Sequence, residues 1–187
     1  RHMFAEIAFD QSSETWLRLH VKAFEFFGGC VDTLVPDNLK AAVVRAAFAA
    51  DGPTSLNRSY RELARHYGCK VDPTPPYSPE KKGKAESSVK YVKGNFFRPR
   101  SFSDVDEARR ELPRWIFQIA GQRIHGTTRK RPLELFEKYE KAALLPLPAS
   151  PFEMVVWKKA RVHPDYHVEV DKHYYSVPYG HIGKKVK

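Results

Sequence analysis

The sequence predicts a mixed α/β fold that continues into helices and then a small β module, and three observations point to it. Phe4-Ala5-Glu6-Ile7-Ala8-Phe9 reads like an alternating strand, 31–35 form a short, largely apolar run, and a stretch of helical period separates the two. Two further helical patterns occupy about 80–97 and 103–119. Beyond a proline-rich segment near 146–151 the period changes to two. With 187 residues, 42% of them hydrophobic and 13% aromatic, the chain can bury a core.

In chain order, the alternating segment 4–9 reads as a strand, and Ser12 or Ser13 can cap a helix running to Phe27. Trp16, Leu17, His20, Val21, Phe24 and Phe27 recur on it at three- and four-residue intervals, and Gly28-Gly29 ends it. Residues 31–35 read as the short, largely apolar strand of a buried parallel sheet, ending at Pro36. The Ala-rich stretch 39–50 favours helix, a turn at Asp51-Gly52-Pro53 follows, and a second helix is expected over about 57–67, closed by Gly68. Residues 69–72 suit one more strand.

Prolines at 73, 75, 76 and 79 force an extended path before a helix opens near Glu80, weakened by Gly83 and Gly94. Ser103 precedes an amphipathic helix carrying Leu112, Trp115, Ile116 and Ile119, in which Pro113 is a candidate kink. A short helix over about 133–143 leads into the linker, and 154–157, 166–170 and 174–177 are the strand candidates of the β module. The expected domains are 1–100, a helical extension 101–145, a linker 146–152 and the module 153–187.

Lys and Arg number 32 against 22 Asp and Glu, a net charge of +10, which favours a polyanionic partner and nucleic acid first. Two cysteines, neither in a C-x-x-C pair, cannot make a disulfide framework or a four-cysteine zinc site, and they suit a reducing, cytoplasmic setting. No membrane span or signal segment is expected. No nucleophile-elbow, P-loop or dinucleotide-binding glycine pattern occurs. The histidines at 163, 167 and 173 read more simply as residues of the β module than as metal ligands.

Two carboxylates draw attention. Asp37 follows an apolar strand at its carboxyl end, where open α/β sheets place ligands, although from these residues alone a cap on the next helix by Asp37 or Asn38 is the plainer reading. Glu86 stands four residues before Lys90, so a solvated ion pair is its plain reading. Its surroundings argue for more: Lys81, Lys82, Lys84, Lys90, Lys93, Arg98 and Arg100 have only Glu80 and Glu86 among them. Such a helix can approach a phosphate backbone while a carboxylate holds a cation. The run Arg123, Arg129, Lys130, Arg131 is either a solvated loop or a set of phosphate contacts.

With Val35-Pro36-Asp37-Asn38 and Pro76-Tyr77-Ser78-Pro79-Glu80-Lys81-Lys82-Gly83-Lys84-Ala85-Glu86, the chain resembles the integrase catalytic core of the DDE transposases and retroviral integrases. Ile124-His125-Gly126-Thr127-Thr128 and Tyr175-Ser176-Val177-Pro178-Tyr179 make it most similar to the bacterial insertion-sequence transposases that work with an AAA+ helper ATPase. The resemblance implies a partial RNase H-like core, the helical extension, and part of a small C-terminal β-barrel like that of phage Mu transposase. It implies Asp37 and Glu86 as second and third acids of a site holding two Mg²⁺ ions, with Mn²⁺ as a substitute. Lys90 and Lys93 match lysines that contact terminal DNA, and Lys82, Lys84, Arg129, Lys130 and Arg131 join them as expected DNA contacts.

The family's first Asp lies on a strand before the one that 4–9 resembles, and Asp10 is a poor substitute. The chain is therefore expected to be a fragment, inactive alone. The intact protein is expected to cleave transposon ends and join them to target double-stranded DNA, as a homo-oligomer on DNA in the bacterial cytoplasm, associated with the nucleoid. The competing reading is a non-catalytic DNA-binding or assembly module of a recombination complex, which charge and aromatic content alone would allow.

Overall fold

The computed structural model describes residues 1–36, 43–45, 55–56, 58–72, 79–154 and 158–186, with the backbone alone for 43–45, 55–56 and 79–85. It divides the chain into two compact units, Arg1–Phe152 and Glu153–Lys187.

In the first unit residues 1–12 form no helix and no ladder with any described strand, so the strand expected over 4–9 is not formed. A strand exists only through a neighbour's N–H and C=O groups, and here the alternation is satisfied by side-chain packing instead. Met3, Ala5 and Ile7, every second residue, lie against a cluster of buried side chains, and Phe4 meets Phe26 at 5.5 Å between ring centroids.

Helix α1, Ser13–Phe27, begins where the sequence signals it: the Ser12 hydroxyl accepts from the Thr15 N–H at 3.1 Å. Asp10 braces the same turn, accepting from the Ser12 N–H at 2.8 Å and the Thr15 hydroxyl at 3.0 Å. At the other end Gly28 takes φ 70, a conformation open to glycine without strain, so that the N–H groups of Gly28 and Gly29 close on the carbonyls of Glu25 and Phe24. Gly29 is required for a different reason: a Cβ there would sit 2.7 Å from the Cβ of Leu144. This close approach lets Cys30 and Leu145 exchange two backbone hydrogen bonds.

Strand β1, Thr33–Leu34, pairs in parallel with a strand at Lys70–Val71, in the register Thr33 to Lys70 and Leu34 to Val71. The buried-strand expectation for 31–35 fails, because Val31 is 42% and Val35 61% exposed; one described neighbour covers one edge only. Within the Ala-rich stretch expected as helix, β2, Val43–Arg45, pairs antiparallel with β3, Ser55–Leu56, and the rest of 39–50 lies outside the described residues. A non-local ladder and β-branched valines here override alanine's helix propensity. Helix α2, Arg58–Tyr67, buries Tyr60, Leu63, Ala64 and Tyr67, one helical stripe, before Gly68 and the strand β4, Lys70–Val71.

Helix α3, Pro79–Val92, widens into a π-type turn over Lys93–Phe97, and α4, Val105–Trp115, does the same over Ile116–Ala120. Asp104, one residue later than the expected Ser103, caps α4, accepting from the Glu107 N–H at 2.7 Å. Glu107 reciprocates by accepting from the N–H and hydroxyl of Ser103. The helix runs through Pro113, and the widened turn follows it. Val92 and Phe96 from α3 and its extension pack with Leu112, Trp115, Ile116 and Ala120 from α4 and its extension. Pro132 then opens the short α5, Pro132–Leu135, whose helical continuation reaches Ala143.

In the second unit β5, Ala160–Arg161, pairs with β8, Lys185–Val186, and β6, His167–Val170, pairs with β7, His173–Ser176. Asp171 and Lys172, at φ 52 and 66, form the tight two-residue turn of that hairpin. Val162 and Val168 are its buried side chains among the described residues. The ladders are two separate pairs and do not close into a barrel among the described residues. Met154 is outside any strand, and 155–157 lie outside the described residues.

Candidate active site

Helix α3 positions the acid and the bases by simple geometry. At 100° per residue Ser88, Tyr91 and Val92 lie toward one side, and Glu86, Lys90 and Lys93 form a stripe on the other. Burial follows this division: Val92 and Phe96 are buried, Ser88 and Tyr91 half-buried, and Glu86, Lys90 and Lys93 exposed. The carboxylate and both ammonium groups share an open groove with Asn95 and Arg98. Glu86 makes no hydrogen bond or ion pair among the described residues, so the solvated Glu86–Lys90 pair that spacing allows is not formed. Its carboxylate oxygens are free hard donors, the chemistry that Mg²⁺ takes from a protein.

Tyr91 anchors this helix. Its ring meets the Trp115 indole at 5.6 Å between centroids, and the Arg123 guanidinium lies 3.9 Å from its centroid. Arg123 also donates to the Ala120 carbonyl at 2.5 Å. It therefore belongs to the packing beside α3 rather than to a free basic loop. After it the chain folds back on itself, with the His125 N–H bonding the Lys130 carbonyl and the Arg129 N–H bonding the His125 carbonyl. The ring Nδ1 of His125 accepts from the N–H groups of Thr127 and Thr128, which assigns the proton of the neutral ring to Nε2. Desolvation and nearby Arg1 and Arg123 hold this histidine below its ordinary range. His125 and Gly126 face Ser87, Ser88 and Tyr91 across a second depression.

Arg129, Lys130 and Arg131 are exposed on this loop, without a carboxylate partner among the described residues. Arg129 takes φ 54, and the tight turn directs three successive cations outward. Lys82 and Lys84 lie on the first turns of α3, whose backbone alone is described. Asp37 lies outside the described residues, three positions beyond β1. Asp10 is occupied in capping α1, and its hydrogen bonds with Ser12 and Thr15 lower its pKa. Cys30 and Cys69 are buried free thiols; that of Cys30 donates to the Val31 carbonyl at 3.4 Å, and the neighbouring Cys69 together with burial raises its pKa. Among the described residues no three histidine, cysteine or acidic side chains gather as a metal cluster.

Sequence reasoning missed Tyr91 and Arg123 as a unit. The available signal was an aromatic residue five positions beyond Glu86 on the opposite side of its helix, within a segment otherwise dominated by lysines.

Two family models, each described as an integrase core domain, match residues 1–79 and 67–132, and a model of the Mu transposase C-terminal domain matches 147–187. A Mycobacterium tuberculosis protein bearing a transposase name is 35% identical over 187 residues, 100% of this chain and 45% of the relative. A Sinorhizobium fredii protein, also bearing a transposase name, is 38% identical over 183 residues, 96% of this chain and 35% of its own length. The transposase for insertion sequence element IS21 of Pseudomonas aeruginosa is 35% identical over 186 residues, 99% of this chain and 46% of the relative. The chain thus spans less than half the length of these curated relatives. No described helix is long and apolar enough to cross a membrane. An integrase core matched in two overlapping stretches, with insertion-sequence relatives aligned along the same residues, places this chain in the family of DDE-type insertion-sequence transposases.

Proposed function

We propose that the protein to which this chain belongs is a DNA transposase that cleaves transposon ends and joins the freed 3′-hydroxyl to target double-stranded DNA, using Asp37 and Glu86 as two of its three acids. The observation that carries this reading is the exposed Glu86 carboxylate, unpaired among the described residues, on the same stripe of α3 as Lys90 and Lys93. A carboxylate flanked by unneutralised cations can bind a metal while the cations hold the phosphate backbone beside it. Asp37, Glu86 and a first Asp contributed upstream of residue 1 would hold two Mg²⁺ ions, with Mn²⁺ as a substitute. Bound there, the ions supply Lewis-acid stabilisation of the attacking and leaving oxygens.

The chain's own residues bind and orient. Lys90 and Lys93 hold terminal DNA, Lys82 and Lys84 extend that contact toward the start of α3, and Arg129, Lys130 and Arg131 meet backbone phosphates from the neighbouring loop. Residues 153–187 form part of a small barrel completed by further sequence. The family resemblance adds a homo-oligomer assembled on DNA in the bacterial cytoplasm and nucleoid, working with an AAA+ helper ATPase. Residues 1–187 alone are inactive, because two acids hold the ions poorly.

The test is strand transfer of a pre-nicked transposon end by the full-length protein in Mg²⁺, beside Asp37→Asn and Glu86→Gln. Loss of joining in both variants with DNA binding retained is the expected result. Retained joining in either variant overturns its acid assignment, and a full-length protein that binds but never joins is a binding module.

A further inference from the structure

We infer that Arg123 and Tyr91 are positioning residues for Glu86, acting through the orientation of α3. The inference rests on the reading of Glu86 as a catalytic acid. Helix α3 is anchored in the core near its C-terminal end, by Val92 and, in the widened turn, by Phe96. Glu86 lies more than a turn before Val92, on the opposite side of the helix. Among the described residues Tyr91 is the large side chain of α3 that packs inward nearest to it, and two elements fix that ring: Trp115 of α4 at 5.6 Å and Arg123 at 3.9 Å from its centroid.

Trp115 is itself tied to Phe96, at 5.4 Å between centroids, so the stack is continuous with the core. Arg123 is held by its bond to the Ala120 carbonyl and has no carboxylate partner among the described residues. Besides that carbonyl, the face of Tyr91 is the neighbour its cation stacks on, in a half-buried setting that strengthens the attraction.

Geometry shows why such a clamp matters. A carboxylate about 6 Å from a helix axis moves about 1 Å when the helix turns by about 10°. A displacement of about 1 Å at a reacting centre can cost about 100-fold in rate, and Mg²⁺ tolerates little departure from octahedral geometry. Arg123 touches no reacting atom. It keeps Glu86, Lys90 and Lys93 pointing the same way.

The test uses the full-length protein on a pre-nicked transposon end, with Mn²⁺ binding to the protein–DNA complex read separately by electron paramagnetic resonance. Arg123→Gln and Tyr91→Leu are expected to slow strand transfer about 10- to 100-fold. Both should weaken Mn²⁺ binding several-fold and leave unchanged the slope of DNA affinity against salt. Tyr91→Phe, which keeps the ring, should behave as the unmodified protein. If Tyr91→Leu unfolds, Arg123→Gln carries the test, since it removes the guanidinium of a partly exposed side chain and leaves the buried cluster of α3 and α4 in place.

Unaltered Mn²⁺ binding in Arg123→Gln overturns the inference. So does a shallower salt slope in that variant, which would make Arg123 a phosphate contact. Glu86→Gln, measured alongside, separates the two levels. Activity kept in Glu86→Gln defeats the acid assignment and this inference with it, whereas activity lost there but fully kept in Arg123→Gln defeats the clamp alone.

Discussion

The wall made by α3 and α4 and the hairpin module Glu153–Lys187 are built on different principles. In the wall, Val92, Phe96, Leu112, Trp115, Ile116 and Ala120 form one buried cluster, and the helical signals at Leu112, Trp115 and Ile116 agree with what is packed, whereas Ile119, expected on the same face, is 51% exposed. In the module, strand pairing and a tight turn at Asp171-Lys172 set the shape, while Val162 and Val168 are buried and Tyr174 and Tyr175 stay more than half exposed. Close packing gives a helix one rotational setting, and that precision is what the proposed site on α3 requires. A ladder of main-chain bonds fixes register but leaves both faces of a hairpin to be covered by something else.

The largest expected effect comes from the wall. Phe96→Ala should cost about 3–5 kcal/mol, read by chemical denaturation, since it empties the space between α3 and α4. Val168→Ala in the module should cost about 1.5 kcal/mol, and segment-resolved hydrogen exchange should confine its effect to 153–187. Equal costs for the two would break the contrast. Replacing the Asp104 cap with Ala should cost about 1 kcal/mol and raise exchange in the first turn of α4, which sharpens the view that local signals and packing cooperate there.

His20 supplies a pH prediction in the first unit. Its Nδ1 donates to the Trp16 carbonyl at 2.9 Å and its Nε2 accepts from the Tyr60 hydroxyl at 3.2 Å, so the neutral ring is fully bonded. Burial lowers its pKa from 6.5, which means that the unfolded chain binds the proton more readily than the folded one. Stability from this site is complete above about pH 6.5 and is lost as pH falls from there toward the lower folded-state value. Denaturation at several pH values should show the decline, and His20→Gln should flatten it. The smallest effect concerns the exposed loop: Arg129→Ala should leave stability unchanged and reduce the salt slope of DNA binding by about one.

Much of the helical architecture was legible because its signals are local. Ser12 and Gly28 mark the ends of α1 within a few residues of the bonds they make, and the stripe Tyr60, Leu63, Ala64, Tyr67 specifies a buried face of α2 without reference to any other element. Glu86 and its basic neighbours were legible as well, because their chemistry is unusual for a solvated helix. The strand content was less so. Residues 4–9 read as a strand yet pack by their side chains without a ladder, and Val43–Arg45 joins a ladder although alanines surround it, because strand formation depends on a neighbour that the local sequence does not contain.

The sequence by itself determined the caps, the periodicities, the positive charge and the residues able to bind a cation and a phosphate backbone. Only the tertiary structure decided that β1 pairs with β4, that Cys30 meets Leu145, and that Arg123 leaves the basic loop to lie on Tyr91. The physical reason is range: a cap or an amphipathic stripe is settled within a turn or two of helix, whereas a ladder or a stacked cation joins residues tens of positions apart, and which of many possible contacts forms depends on how the whole core packs.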